Sequence, residues 1–152
     1  MPVTSSGLFT ATLQGILDTT QLAVNLSAAT NKCAMFTNSI TPDFDAALAS
    51  AGYGVGQYAA NEVGGAGYTA GGALITTPVV SAAGGLVTFD ADPVVWAAST
   101  ITNARCALIY ADALAGDNAV ALVNFGADYS TINGQFSIQW ALAGIFYIDI
   151  VP

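Results

Sequence analysis

The sequence predicts an all-β fold, a single-domain antiparallel β-sandwich that is jelly-roll-like in outline. Three observations carry that expectation. Apolar residues alternate with period two along much of the chain, turns built from Gly, Asn, Asp and Pro recur between the alternating runs, and stretches with helical period are few. The 152 residues suffice for one domain with its own core. No internal repeat or linker divides them, and the expected organisation is an N-terminal arm and first strand over residues 1–30, then the sandwich over residues 31–152.

Residues 22–26 read as a short strand, followed by a turn at residues 29–31 and a strand over residues 32–37. Residues 43–55 can hold a turn or two of helix around their Ala-Ala-Leu-Ala core, and the glycine-rich end, residues 52–56, reads as loop. Residues 73–80 and 86–91 are expected to pair through a turn at Gly84-Gly85, with Pro78 confining the first of them to an edge. Cys106, Leu108 and Tyr110 alternate with Ala107, Ile109 and Ala111, and a hairpin-like connection at residues 115–118 leads to a second apolar run over residues 120–125. The clearest alternation is residues 135–143, where Phe136, Ile138, Trp140 and Leu142 face one way. Gly144 interrupts, and Phe146, Ile148 and Ile150 form a terminal strand.

Composition excludes several function classes. Lys and Arg number 2, Asp and Glu 10 and His 0, for a formal net charge of −8. Proteins that hold nucleic acid or anionic membrane need clustered cations, and Lys32 and Arg105 stand alone, so neither partner is expected. Only 8% of residues are charged while 54% are hydrophobic, against roughly 25% charged in an ordinary domain. Much of the surface is therefore uncharged, and it is expected to be covered by copies of the chain or by another protein. Residues 63–89 carry no charge, but their glycines, Pro78 and hydroxyl residues read as strands and turns rather than a membrane span, and residues 1–17 lack the cationic start of an export signal. Cys33 and Cys106 have neither CxxC spacing nor histidine neighbours and read as buried reduced thiols, with a disulfide as the alternative.

The absence of histidine removes the commonest general base, the Ser-His-Asp and Cys-His nucleophile pairs and histidine metal sites together. Asp43 with Asp45 and Asp90 with Asp92 have the two-residue spacing that puts carboxylates on one strand face, as acid/base chemistry or calcium would require. Each pair sits at a turn, where carboxylates accept from backbone donors, and no DxDxDG run exists. The glycine-rich residues 64–72 lack the lysine of a phosphate loop and read as a mobile or tightly bent connection. No catalytic residue, cofactor or metal ligand is therefore expected. The enzyme alternative is a glycan-acting domain using Asp90, Asp92 or Asp128 beside Trp96. Trp96 and Trp140 read as core anchors, with a carbohydrate platform as the alternative. Tyr53, Tyr58 and Tyr68 cluster around the glycine-rich segment and are the expected protein-contacting residues. Met1, Pro2 and Val3 open a short uncharged stretch read as an arm that docks on a neighbouring subunit.

Longer motifs add a resemblance. Asn61-Glu62-Val63-Gly64-Gly65-Ala66-Gly67-Tyr68-Thr69-Ala70-Gly71-Gly72 is followed by Phe89-Asp90-Ala91-Asp92, Trp96 and Ser99-Thr100-Ile101, and the chain closes with Asn133-Gly134-Gln135-Phe136-Ser137-Ile138-Gln139-Trp140 and Gly144-Ile145-Phe146. Together with Lys32-Cys33-Ala34-Met35-Phe36, these resemble a family of small tailed-bacteriophage virion proteins over roughly residues 30–150. The resemblance implies a non-enzymatic capsid decoration or cement protein, a trimer or dimer made in the host cytoplasm and bound to the major capsid protein on the exterior of an HK97-type shell. Members are also placed as minor capsid, head-fibre or tail proteins, so a component contacting the host surface is the alternative.

Overall fold

The computed structural model describes residues 2–151. Its first elements are β1 (Gly7–Leu8), α1 (Thr10–Leu17), β2 (Lys32–Phe36) and β3 (Ala73–Leu74), followed by β4 (Val79–Ala83), β5 (Leu86–Asp90) and β6 (Val94–Ser99). The second half holds β7 (Ala104–Ala111), β8 (Asn118–Tyr129), β9 (Gly134–Ile138) and β10 (Phe146–Asp149). All pairings are antiparallel, and the strands divide five, three and two in the orders β1-β8-β7-β2-β3, β10-β5-β4 and β6-β9. The chain is thus an all-β sandwich in one domain, as its alternation requires.

The central strands of the five-stranded sheet, β2, β7 and the first half of β8, are buried on both faces. Cys33, Met35, Ala107, Ile109 and Ala121 point to one side, where Phe89, Val94, Trp96, Phe136 and Ile138 of the smaller sheets cover them. Ala34, Phe36, Cys106, Leu108, Tyr110 and Leu122 point to the other, against Val3, Phe9, Ile40, Ala51 and Tyr58. This double cover explains why β7 is apolar at every position from Cys106 to Ala111: a strand packed on both faces has no solvent side to reserve for polar residues. Both cysteines are free and buried, one on each face.

The β7–β8 and β4–β5 hairpins form as expected, the latter through Gly84-Gly85, both with positive φ (58° and 83°), as a tight two-residue turn needs. The β4 strand is an edge. Elsewhere the boundaries move. Residues 73–80 split between two sheets: β3 pairs with β2, the chain turns at Thr77-Pro78 with Thr77 at φ 52°, and β4 begins on β5. The alternation over residues 135–143 stays a strand only to Ile138, because its partner β6 begins at Val94 and the next residue back, Pro93, has no N–H to continue the ladder. Trp140 instead donates its indole N–H to the Asp92 carbonyl (3.0 Å), and Leu142 is fully exposed.

The N-terminal region departs most from expectation. Residues 22–26 form no strand; Asn31, buried, donates its amide to the carbonyls of Asn25, Leu26 and Ala28 and holds them in turns. Residues 10–17, for which the alternation carries no expectation, form helix α1. The opening segment is not a free arm: β1 pairs with β8, Phe9 is buried, and Val3 is 0% exposed, with its N–H on Asn38 Oδ1 (2.7 Å) and its carbonyl on Arg105 Nη2 (3.2 Å).

Candidate interaction surface

The expected contact tyrosines turn inward. Glu62, the sole glutamate, bridges to Phe36 beside β2 and gathers three donors. Tyr53 donates to its Oε2 at 2.7 Å, and Tyr68 (2.7 Å) and the Gly71 N–H (2.8 Å) donate to its Oε1. The Tyr68 hydroxyl also accepts the Met35 N–H (2.9 Å), Tyr110 donates to the Gly71 carbonyl (2.8 Å), and Tyr53 stacks on Tyr110 with ring centroids 4.7 Å apart. Burial, then the bond to Glu62, pushes the Tyr53 hydroxyl up to about 12 and raises that of Tyr68 further. The cluster clamps the glycine-rich segment to β2, where a methyl group on Gly72, at φ 75°, would overlap the Cys33 carbonyl. That segment is tightly bent rather than mobile.

Tyr58 is 3% exposed, edge-on to Phe36 (5.3 Å) and Phe9 (6.2 Å), and its hydroxyl has no partner. Of the six residues expected to contact a partner, then, Tyr58 and Val3 lie in the core, Tyr53 and Tyr68 are half-buried in the Glu62 cluster, and Pro2 is exposed. Met1 lies outside the described residues. Their chemistry was legible, but their partner was not, since Glu62 meets Tyr53 only through the fold.

The carboxylates singled out from spacing are occupied locally. Asp43 accepts the Asp45 N–H, Asp45 accepts from Thr10, Asp90 accepts the Ala91 N–H and Asp92 accepts from Thr77 (2.6 Å). Asp128 pairs with Arg105 (3.4 Å) and Asp112 with Lys32 (3.1 Å), so both cations of the chain have partners. No group of three or more Cys, Asp or Glu side chains converges as a metal site among the described residues. Trp96 is 5% exposed, packed on Phe136 and Tyr68, and is a core anchor.

The rest of the surface exposes many large apolar side chains alongside carboxylates such as Asp18, Asp92 and Asp149. Leu17, Ile132, Leu142, Ile150 and Val151 are more than half exposed, as are Leu74, Val79, Tyr129 and Tyr147. A groove of about 560 Å³ runs beside β9, walled by Phe125, Tyr129, Phe136 and Trp140 with the amides of Gln135 and Gln139. The outward face of the β10-β5-β4 sheet forms a second concavity with Tyr147, Thr88 and Ser81, rimmed by Leu142. No helix among the described residues is long and apolar enough to cross a membrane. No family model, curated protein or solved structure matches this chain.

Proposed function

We propose that this chain is a structural protein of a bacteriophage virion, a decoration protein that self-associates, binds the major capsid protein on the outer face of an HK97-type shell and stabilises it. The observation that carries the reading is the exposed apolar surface on a chain with two cations, both already paired. So many large apolar side chains left in solvent, on a chain so poor in cations, favour a partner that covers them. The motifs that resemble small virion proteins supply the kind of partner. Mechanically the protein adds free energy to the assembled shell alone, because its contacts exist only where capsid subunits are already arrayed. No chemical step is needed.

The test is heat challenge of virions with and without the chain. Virions lacking it are expected to release DNA at lower temperature, and adding back the purified chain should restore the wild-type value. Equal release temperatures would reject the stabilising role. The groove beside β9 favours a second reading, a head-fibre or tail component contacting the host, because aromatic walls and neutral amides suit an uncharged glycan. Loss of adsorption without loss of shell stability would select it.

A further inference from the structure

We propose that β4 is a dimerisation edge, along which two copies of the chain pair antiparallel about a two-fold axis through Ser81 to make one continuous six-stranded sheet. The inference deepens the self-association part of the reading above and does not depend on the shell.

The β4 strand is an edge without the usual protection. All five residues, Val79–Ala83, are exposed, none is charged, and no described strand pairs with its outer side. Soluble proteins normally guard such an edge with lysine, proline or a bulge, because its free N–H and C=O groups invite another strand. Here only Pro78 stands guard, one residue before the strand begins.

The hairpin fixes which groups face out. Ala83 and Leu86 flank the two-residue turn, so they exchange both hydrogen bonds, and Ser81 and Val79 likewise turn their N–H and C=O toward β5. The far side of β5 agrees, since Gly85 and Phe89 give their carbonyls to Ile150 (2.9 Å) and Ile145 (2.8 Å) across at β10. Val80 and Ala82 are left pointing outward. A two-fold at Ser81 sets Val80 against Ala82 of the second copy and Ala82 against its Val80, which are hydrogen-bonding pairs, with Ser81 facing Ser81 between them. A two-fold at Val80 would use Pro78, which has no N–H, and one at Ala82 would run into the turn.

The side chains fit the same register. Val80 lies beside Ala82 of the second copy on the inner face, and Val79 beside its Ala83 on the outer, so each large side chain meets a small one. The nearest carboxylate, Asp90, lies opposite Val79 on β5 and faces no acidic residue of the second copy. On the inner face Val80 borders Leu13 and Ile16 of α1, both partly exposed, which extend the apolar contact beyond the strand.

The test uses the full chain in sedimentation velocity with three variants. Val80→Pro removes an outward N–H, which an edge strand tolerates, and is expected to abolish the dimer while leaving the far-ultraviolet spectrum unchanged. With oxidised glutathione as the oxidant, Ser81→Cys is expected to form a covalent dimer, because facing residues lie within disulfide reach. Val79→Cys should not, since the two copies of that residue would sit about 13 Å apart along the strands. Cys33 and Cys106, buried with thiols pushed up to about 12, give no background. A wild-type dimer indifferent to Val80→Pro, with no cross-link at Ser81→Cys, would overturn the β4 edge and leave self-association standing. A monomeric wild-type chain with no cross-link would overturn both. If Val80→Pro fails to fold, the cross-linking pattern of the two cysteine variants decides.

Discussion

Tyr68, half-buried, and Tyr58, buried, have opposite expected responses to losing their hydroxyl. Tyr68→Phe strips a donor from Glu62 and leaves the Met35 N–H without an acceptor, and is expected to cost about 1–3 kcal/mol. Tyr58→Phe removes a buried hydroxyl that has no partner and should be neutral or stabilising by about 1 kcal/mol. Urea denaturation of the two variants checks both signs. The same residues set an alkaline limit. Tyr53 is pushed up to about 12, and Tyr58, Tyr68 and Tyr110 are raised further, in each case chiefly by burial. Unfolded tyrosine ionises near 10, so below about pH 10 both states keep the proton and the stabilisation is complete. Above it the unfolded chain releases protons that the folded one retains, and stability falls, with Tyr53's share gone past about pH 12. Tyrosinate absorbance of these residues should therefore rise together with loss of the near-ultraviolet circular dichroism. Full tyrosinate formation in a chain that keeps its near-ultraviolet signal would contradict this.

At the scale of elements, legibility followed the neighbours each segment has. Hairpins are readable because turn and both strands are adjacent in sequence: Gly84-Gly85 places β4 against β5, and residues 112–117, overlapping the expected connection at 115–118, join β7 to β8. Helix α1 is poorly legible in the sequence, although Phe9, Leu13, Ile16 and Leu17 have the i, i+4, i+7, i+8 spacing of an apolar stripe. It is only eight residues long with neither a side-chain cap nor charge in its first or last turn, so its stability comes from docking on β8, where Thr12 bonds the Ala119 carbonyl. The strand expected over residues 135–143 stops at Ile138 because its end is set by Pro93, just before the distant strand β6. The Glu62 cluster was invisible for the same reason, its three donors arriving from separate turns. The N-terminal segment supplies Val3 and Phe9 to the core, so Phe9→Ala is expected to cost about 3–5 kcal/mol in chemical denaturation. A cost below 1 kcal/mol would restore the free-arm picture.

The whole molecule combines a net charge of −8 with an apolar surface, and these act in opposite directions on association. Like charge keeps copies apart at long range, while the uncharged β4 edge and the apolar residues around it favour contact at short range. Added salt screens the first and spares the second. The self-association constant should accordingly rise several-fold between low and physiological ionic strength by sedimentation, and a fall would mean that ion pairs rather than strand pairing hold the copies together. Lys32 and Arg105, the cations such ion pairs would need, are paired within the subunit.

A shell-wide structural role requires many copies of this chain in each purified virion, which quantitative mass spectrometry against the major capsid protein counts. A number comparable to that of the major capsid protein is the expected result, with the exposed apolar side chains covered at the junctions between capsomers. A handful of copies per particle would contradict it and assign the chain to a vertex, fibre or tail.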